Sequence, residues 1–258
     1  ARGSFQLRVV EEDDFGAPAP ATQRVLLNFA ATRSVRVQSR SPFDMPAFHG
    51  SILGAAFAPS TEMIKQMIVD RIRADYLGYN VEIFTSDDPE LPAEPYSTIH
   101  FGGYDSALLG LADNVDQYNE RPAQNAIIYV ETFATFEYLE MTPEEIASML
   151  ANVASHELGH LLGLYHTRNP ADVMDTTATA WELTENQGFV RAELEPSVFP
   201  VGFEDSPALL AQIVGTRPVT DADLKDRGTA KKIVVRSSIA NAVRAQFGHG
   251  CGTCTECR

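Results

Sequence analysis

Apolar positions along this chain recur at two spacings, one suited to strands and one to helices. Residues 24–30 (RVLLNFA) form a short apolar run that reads as a first strand. Ser60 can cap a helix in which Met63, Ile64, Met67, Ile68 and Ile72 recur at helical spacing to about Leu77, where Gly78 supplies a stop. A methionine stripe of this kind packs a core rather than forming a ligand set. Residues 81–84 and 97–101 read as two further strands, separated by a loop rich in aspartate and proline. The β-branched run at 125–130 suits a central strand. Thr142-Pro143-Glu144-Glu145 then carries every mark of a helix start: a cap, a proline in the first turn and a glutamate that completes a capping box. From Pro143 to Leu162 the positions Ile146, Met149, Leu150, Val153, Leu158, Leu161 and Leu162 bury one stripe. Ser206-Pro207-Ala208 opens a last short helix, with Ser206 as cap and Gly215 as its close. Strand, helix, strand, strand is the opening of an α/β sheet.

Between these elements, residues 35–54 mix Pro42, Pro46 and Gly50 with Phe43, Met45 and Phe48 and read as a packed irregular loop. It holds His49, taken as a structural histidine. The aromatic positions Phe133, Phe136 and Tyr138 fall in a loop before the long helix, and residues 181–200 form another. Residues 1–23 are a polar lead-in with a proline-rich linker, residues 24–215 a single domain, and residues 216–258 a C-terminal extension.

Composition narrows the classes. A chain of 258 residues can bury a sizeable core. Its net charge of −15 disfavours nucleic acid and anionic membrane as partners. No run of about twenty apolar residues is present to span a membrane. The chain opens Ala1-Arg2-Gly3-Ser4 without a visible signal peptide, which fits a processed form. All three cysteines, Cys251, Cys254 and Cys257, sit in the tail, so the body is no disulfide-stapled scaffold. Three thiols lack the fourth ligand of a structural zinc site, leaving a loosely held or oxidised tail, a metal site or a blocking thiolate as readings.

One stretch organises the rest: His156-Glu157-Leu158-Gly159-His160-Leu161-Leu162-Gly163-Leu164-Tyr165-His166. Two histidines four apart on a helix sit about 40° apart around the axis and roughly 6 Å along it, so both can reach one metal ion. Glu157 stands beside them, where it can act on a water at that metal. On an unbroken helix His166 would lie about 15 Å beyond His156, out of reach of zinc–nitrogen bonds of about 2.0–2.1 Å. The helix must therefore stop first, and Gly163 is the residue that can end it in a left-handed conformation. Three of the six histidines fall in these eleven residues. With Gly163 and His166 at the required offsets, chance resemblance to a metal helix recedes.

The stretch resembles the metzincin zinc-endopeptidase motif, His-Glu-x-x-His-x-x-Gly-x-x-His, closed by a methionine turn whose methionine is Met174, eight residues after His166. Matrixin-like bacterial peptidases are the nearest match. Archaemetzincins carry cysteines where this chain has Thr167 and Asp172, and Asp175 stands where astacins place a tyrosine ligand. The resemblance implies a twisted, mostly parallel five-stranded sheet with an antiparallel edge strand, a backing helix and an active-site helix. It implies catalytic zinc on His156, His160 and His166, with Met174 as an apolar floor beneath the metal. Zinc leaves a position for water whose pKa falls to about 7; Glu157 takes its proton as it attacks a peptide carbonyl and then gives it to the leaving amine. Leu109, Gly110, Leu111 and Ala112 resemble the rim strand, which can pair with an extended substrate. Residues 197–203 resemble a wall of the pocket after the scissile bond.

Further expectations follow. Tyr104, Asp105, Asp113, Asp116 and Asn119 offer oxygen ligands suited to structural calcium, and His100 is read as structural rather than as part of a second zinc site. The partner is a protein or peptide substrate, with neither nucleic acid nor a membrane span, and the chain is expected to be a monomer. Secretion is implied by the resemblance. Two alternatives stay open: a catalytically idle metzincin-fold binding module, and a zinc peptidase whose third ligand is Glu182 or Glu185.

Overall fold

The computed structural model describes residues 18–198, 201–220 and 223. Strand β1 (Gln23–Asn28) leads into a hairpin of β2 (Thr32–Val35) and β3 (Phe43–Met45), and two 3-10 turns then bring the chain to helix α1 (Thr61–Asp75). Strands β4 (Val81–Thr85), β5 (Ser97–Phe101), β6 (Gly110–Ala112) and β7 (Asn125–Ile128) follow. A short helix α2 (Val130–Phe133) precedes the long helix α3 (Pro143–Leu161). The hairpin of β8 (Arg191–Glu193) and β9 (Phe203–Asp205) leads directly into helix α4 (Ser206–Ile213).

Five strands share one sheet in the order β4-β1-β5-β7-β6. Every neighbouring pair is parallel except β6 and β7, which run antiparallel with Leu111 opposite Ile127. The architecture is thus the mostly parallel sheet with one antiparallel edge strand that the resemblance implied. Strand side chains alternate between faces. Val25, Leu27, Ile99, Phe101, Ala126 and Ile128 join Ile64, Ile68 and Ile72 of α1 and Met149 and Leu150 of α3 in the main core. Leu111, Ile127 and Tyr129 turn to the other face, where Val35, Val37 and Met45 cover them.

Helix α3 is set by its start. Thr142 Oγ1 accepts from Glu145 N at 3.2 Å and Glu145 Oε2 accepts from Thr142 N at 2.7 Å, so the capping box closes in both directions. Burial then exceeds the expected single stripe: every residue from Ile146 to Leu161 is buried. A helix enclosed on all sides needs partners for its polar groups. Asn152 Nδ2 donates to Leu183 O at 2.7 Å, and Ser155 Oγ donates to Asp75 Oδ2 at 2.7 Å. Tyr76 Oη donates to Ser155 O at 2.8 Å, tying the end of α1 to α3.

Local chemistry departs from the sequence reading at several places, among them the loop expected at 181–200, which holds a 3-10 turn (Glu182–Thr184) and β8. Residues 35–54 are more regular than a loop, because β3 pairs with β2 and His49 caps a 3-10 turn by accepting from Ser51 N. The central strand ends at Ile128; Val130 opens α2, and residues 133–138 continue in helical turns. Ser60 makes no side-chain cap for α1; Thr61 Oγ1 instead donates to Ala58 O and accepts from Gly50 N. The cap of α4 is Asp205, which accepts from Ala208 N at 3.1 Å, while Ser206 lies inside the helix. The lead-in before residue 18, Phe199 and Pro200, and the extension beyond residue 223 with Cys251, Cys254 and Cys257 lie outside the described residues. No helix among the described residues is long and apolar enough to cross a membrane.

Candidate metal centre

The last turns of α3 present His156, Glu157 and His160, and the helix then ends abruptly. Gly163 N donates to His160 O at 2.9 Å, and Gly163 itself lies at φ +89°. A Cβ there would fall 2.8 Å from the carbonyl oxygen of Asp116, so neither the conformation nor the space admits a side chain. The reversal brings His166 back to the helix. Ligand-capable atoms of His156, His160 and His166 all lie within 4.8 Å of one another, and all three residues are buried. Among the described residues this is the one cluster of three or more histidine, cysteine or acidic side chains so placed.

Ring tautomers follow from the neighbours. His156 Nδ1 lies 2.8 Å from Val173 O, and His160 Nδ1 lies 2.8 Å from Leu164 O. A carbonyl only accepts, so both Nδ1 atoms carry the proton and both Nε2 atoms present lone pairs. His160 Nε2 lies 2.9 Å from His166 Nε2, while His156 Nε2 is buried with no hydrogen-bond partner. A buried lone pair left unmatched is costly unless a cation meets it. Burial lowers His156 to about pKa 3, with further lowering by His160, and lowers His160 to about 4. Burial and then the two neighbouring rings hold His166 well below the usual imidazole range. Three neutral imidazoles with converging nitrogens form a donor set that fits zinc.

Surrounding residues fit closely around that cluster. Glu157 is 1% exposed and lies against the backbone of β6, where a Cβ on Gly110 would come within 2.5 Å of its Oε1. Met174 is wholly buried, and its sulfur fills the space that a side chain at Gly159 would need. A cavity of about 30 Å³ opens beside the histidines, lined by residues including Leu109, Val153, His156, Glu157, Val173 and Leu183. Among the described residues the wall comes from 173–187 and not from 197, 198 or 201–203, which belong to the turn and strand of the β8–β9 hairpin.

Along β6, Leu109 O accepts from Tyr129 N and Asp113 N donates to Asn125 O, both toward β7. By antiparallel alternation the backbone groups of Gly110 and Ala112 turn outward. Ala112 O already accepts from Gln38 Nε2 at 2.8 Å, so the open stretch of the rim lies at Gly110 and the Ala112 amide. Leu111 points to the opposite face of the sheet from α3.

Other expected ligands are spent elsewhere. Asp113 accepts from Gln38 N and Asn125 N, Asp116 from Arg121 N and Gln124 Nε2, and Asp105 from Ala107 N, Leu108 N and Arg40. These carboxylates pin loops rather than converge on a calcium site. His100 sits between Asn28 Nδ2 at 3.1 Å and Asn125 Oδ1 at 3.2 Å, a structural role. Glu182 Oε2 accepts from Thr179 N at 2.6 Å, and neither Glu182 nor Glu185 joins the histidine cluster.

Two acids near the site are buried, which nothing in the sequence signals. Asp172 Oδ2 accepts from Thr167 Oγ1 at 2.7 Å, and both residues are fully buried. Glu204 is 5% exposed, and burial pushes its carboxyl up to about 7 against the hydrogen bonds it accepts from Tyr165 N and Ser206 Oγ.

The Matrixin family matches this chain over residues 22–189. Among solved structures, an archaemetzincin from Methanopyrus kandleri is 13% identical, covering 65% of this chain and 87% of its own at a TM-score of 0.35. A zinc-dependent peptidase from Methanocorpusculum labreanum is 14% identical, covering 64% of this chain and 93% of its own at a TM-score of 0.36. No curated protein matches the sequence.

His166→Ala should empty the site of zinc, whereas Glu182→Ala and Glu185→Ala should each keep one zinc per chain, as read by elemental analysis of the purified proteins. Loss of zinc in either glutamate variant alone would overturn the three-histidine set. The zinc-free protein should also lose stability as pH falls. Unfolded histidines take up protons near the ordinary 6.5, while the folded ones stay neutral toward about 3 and 4, so the unfolded state binds more protons in between. Each such histidine contributes a loss of about 1.4 kcal/mol per pH unit within that window. Glu204, protonated up to about 7 in the folded state, offsets roughly one of the three. Urea midpoints of the metal-free protein should therefore fall from pH 7 to pH 5, and a flat or rising midpoint would contradict the burial of neutral imidazoles.

Proposed function

The chain belongs to the matrixin family of zinc metallopeptidases, and we propose from that premise that it is an endopeptidase in which Glu157 moves the proton. The observation that carries the reading is the pairing of a fully buried cluster of neutral histidines with the carboxylate of Glu157 at the open stretch of an edge strand. His156 and His160 offer Nε2, and His166 completes the set. Zinc, when bound, supplies the Lewis acidity that makes a water acidic near neutral pH and polarises a carbonyl.

The chain's own residues do the rest. The carbonyls of Val173 and Leu164 hold the imidazoles of His156 and His160 in the tautomer that leaves Nε2 free to ligate. Glu157, the next residue after the first ligand, accepts the proton of the attacking water and passes it to the leaving amine. Its position against Gly110 sets it beside the rim, where a substrate strand can pair with outward-facing backbone. Pairing of that kind reads main chain on both sides of the scissile bond, which supports internal cleavage over trimming from an end. Leu109 and Val153 at the neighbouring cavity supply apolar surface for one substrate side chain. Met174 under Gly159 keeps the floor dry and apolar.

Glu157→Gln keeps the shape of the side chain and removes the base. It should retain one zinc per chain and lower kcat on an unfolded protein substrate by about 10²–10⁴-fold. Mass spectrometry of the wild-type products should show internal cuts. Equal cleavage by wild type and variant would refute the assignment of Glu157, and products shortened only from one end would refute endopeptidase action.

A further inference from the structure

The family match stops at residue 189, yet the third histidine is held from beyond it. His156 and His160 each have a carbonyl that orients the ring through Nδ1. Among the described residues His166 has no such carbonyl; its ring meets His160 Nε2. Its placement therefore depends on the backbone that carries it, and that backbone is gripped by the β8–β9 hairpin. Glu195 N donates to His166 O at 2.9 Å, Arg168 N donates to Glu193 O at 2.9 Å, and Thr167 bridges Leu194 in antiparallel sense. Residues 166–168 thus lie along the hairpin as an added strand.

On the other side of the ligand the grip is a side chain. Glu204, on β9 opposite Ala192, sends Oε2 to Tyr165 N at 2.9 Å, while Oε1 accepts from Ser206 Oγ at 3.2 Å. Glu204 is 5% exposed and Ser206 is fully buried, so the carboxyl has little room to swing away. An acid placed in such surroundings needs a local reason, because burial of a carboxylate is unfavourable without hydrogen-bond donors aimed at it. The donors here are the amide beside the ligand and the hydroxyl that opens α4.

We propose that Glu204 is a positioning residue for the metal centre: by accepting the Tyr165 amide it fixes the segment that delivers His166 to the other two histidines. The inference rests on His166 as the third zinc ligand. Glu204 acts through hydrogen-bond acceptance, not through charge on the metal, so an amide oxygen in its place serves equally.

The test compares wild type, Glu204→Gln and Glu204→Leu in the full chain. Zinc release to a chromophoric chelator and the visible absorption of the cobalt-substituted protein read the site without recourse to activity. Glu204→Gln should match wild type in both, because its amide oxygen still accepts. Glu204→Leu should release zinc about 10-fold faster or more and show an altered cobalt spectrum, the scale seen when partners of metal ligands are removed. In turnover it should lower kcat with KM little changed. Wild-type release and spectrum in the leucine variant would overturn the proposal, as would equal impairment of the glutamine variant. If the leucine variant does not fold, Glu204→Met, which fills the space but offers the Tyr165 amide no carboxylate or amide oxygen, is measured instead: faster release supports the proposal and unchanged release overturns it. Wild type that binds no zinc would overturn the site reading itself, a failure distinct from one confined to the Glu204 variants.

Discussion

Everything at the centre of this protein depends on bringing three uncharged imidazoles from two backbone directions onto one point inside the core. A helix alone supplies two of them, since positions four apart share a face while a residue ten positions on would lie about 15 Å further along the axis. The third needs the helix to stop and the chain to reverse within a few residues, and Gly163 at φ +89° is where that happens. The backbone of Asp116 lies so close that any side chain at Gly163 would collide with it. The loop after β6 thus abuts the end of the helix and confines the turn.

Burial then sets the chemistry. A histidine in water is partly protonated near neutrality, and a protonated imidazole repels a cation. Enclosing all three rings keeps them neutral, and carbonyls at Val173 and Leu164 decide which nitrogen of His156 and His160 is left bare. Space is made for this by missing side chains. Gly159 yields to the sulfur of Met174, and Gly110 yields to the carboxylate of Glu157. The residues flanking His166 come under control of a hairpin that starts 25 residues further on, at Arg191.

Much of the centre was legible in the sequence because its determinants are local. The histidine spacing, the stop at Gly163 and the capping box at Thr142 and Glu145 each lie within a few residues of what they control, and each has one geometric meaning. The sheet was legible for a similar reason, since Ser97–Phe101 and its neighbours are short apolar runs with clear ends. What escaped depends on distant pairings. Glu204 is 39 positions from the amide it holds, and nothing in its own neighbourhood distinguishes it from a surface glutamate. Asp105, Asp113 and Asp116 suggested calcium by composition, but composition is blind to the amides that claim them. Val130 looked like strand by its β-branched type, yet Glu131 N bonds to Gly103 O and the chain turns into helix there. Thr167 and Asp172, noted for not being cysteines, proved to form a buried hydrogen bond between themselves.

We propose that the imidazole nitrogens of His156, His160 and His166 hold the metal without a thiolate. X-ray absorption on the zinc-loaded full-length chain tests it directly, because nitrogen and sulfur neighbours differ in distance, about 2.0–2.1 Å against about 2.3 Å. Three histidine ligands give nearest neighbours that are all light scatterers, with the outer scattering pattern of three imidazoles and no sulfur. A sulfur contribution, bringing in Cys251, Cys254 or Cys257, or a pattern of two imidazoles, would contradict the proposal.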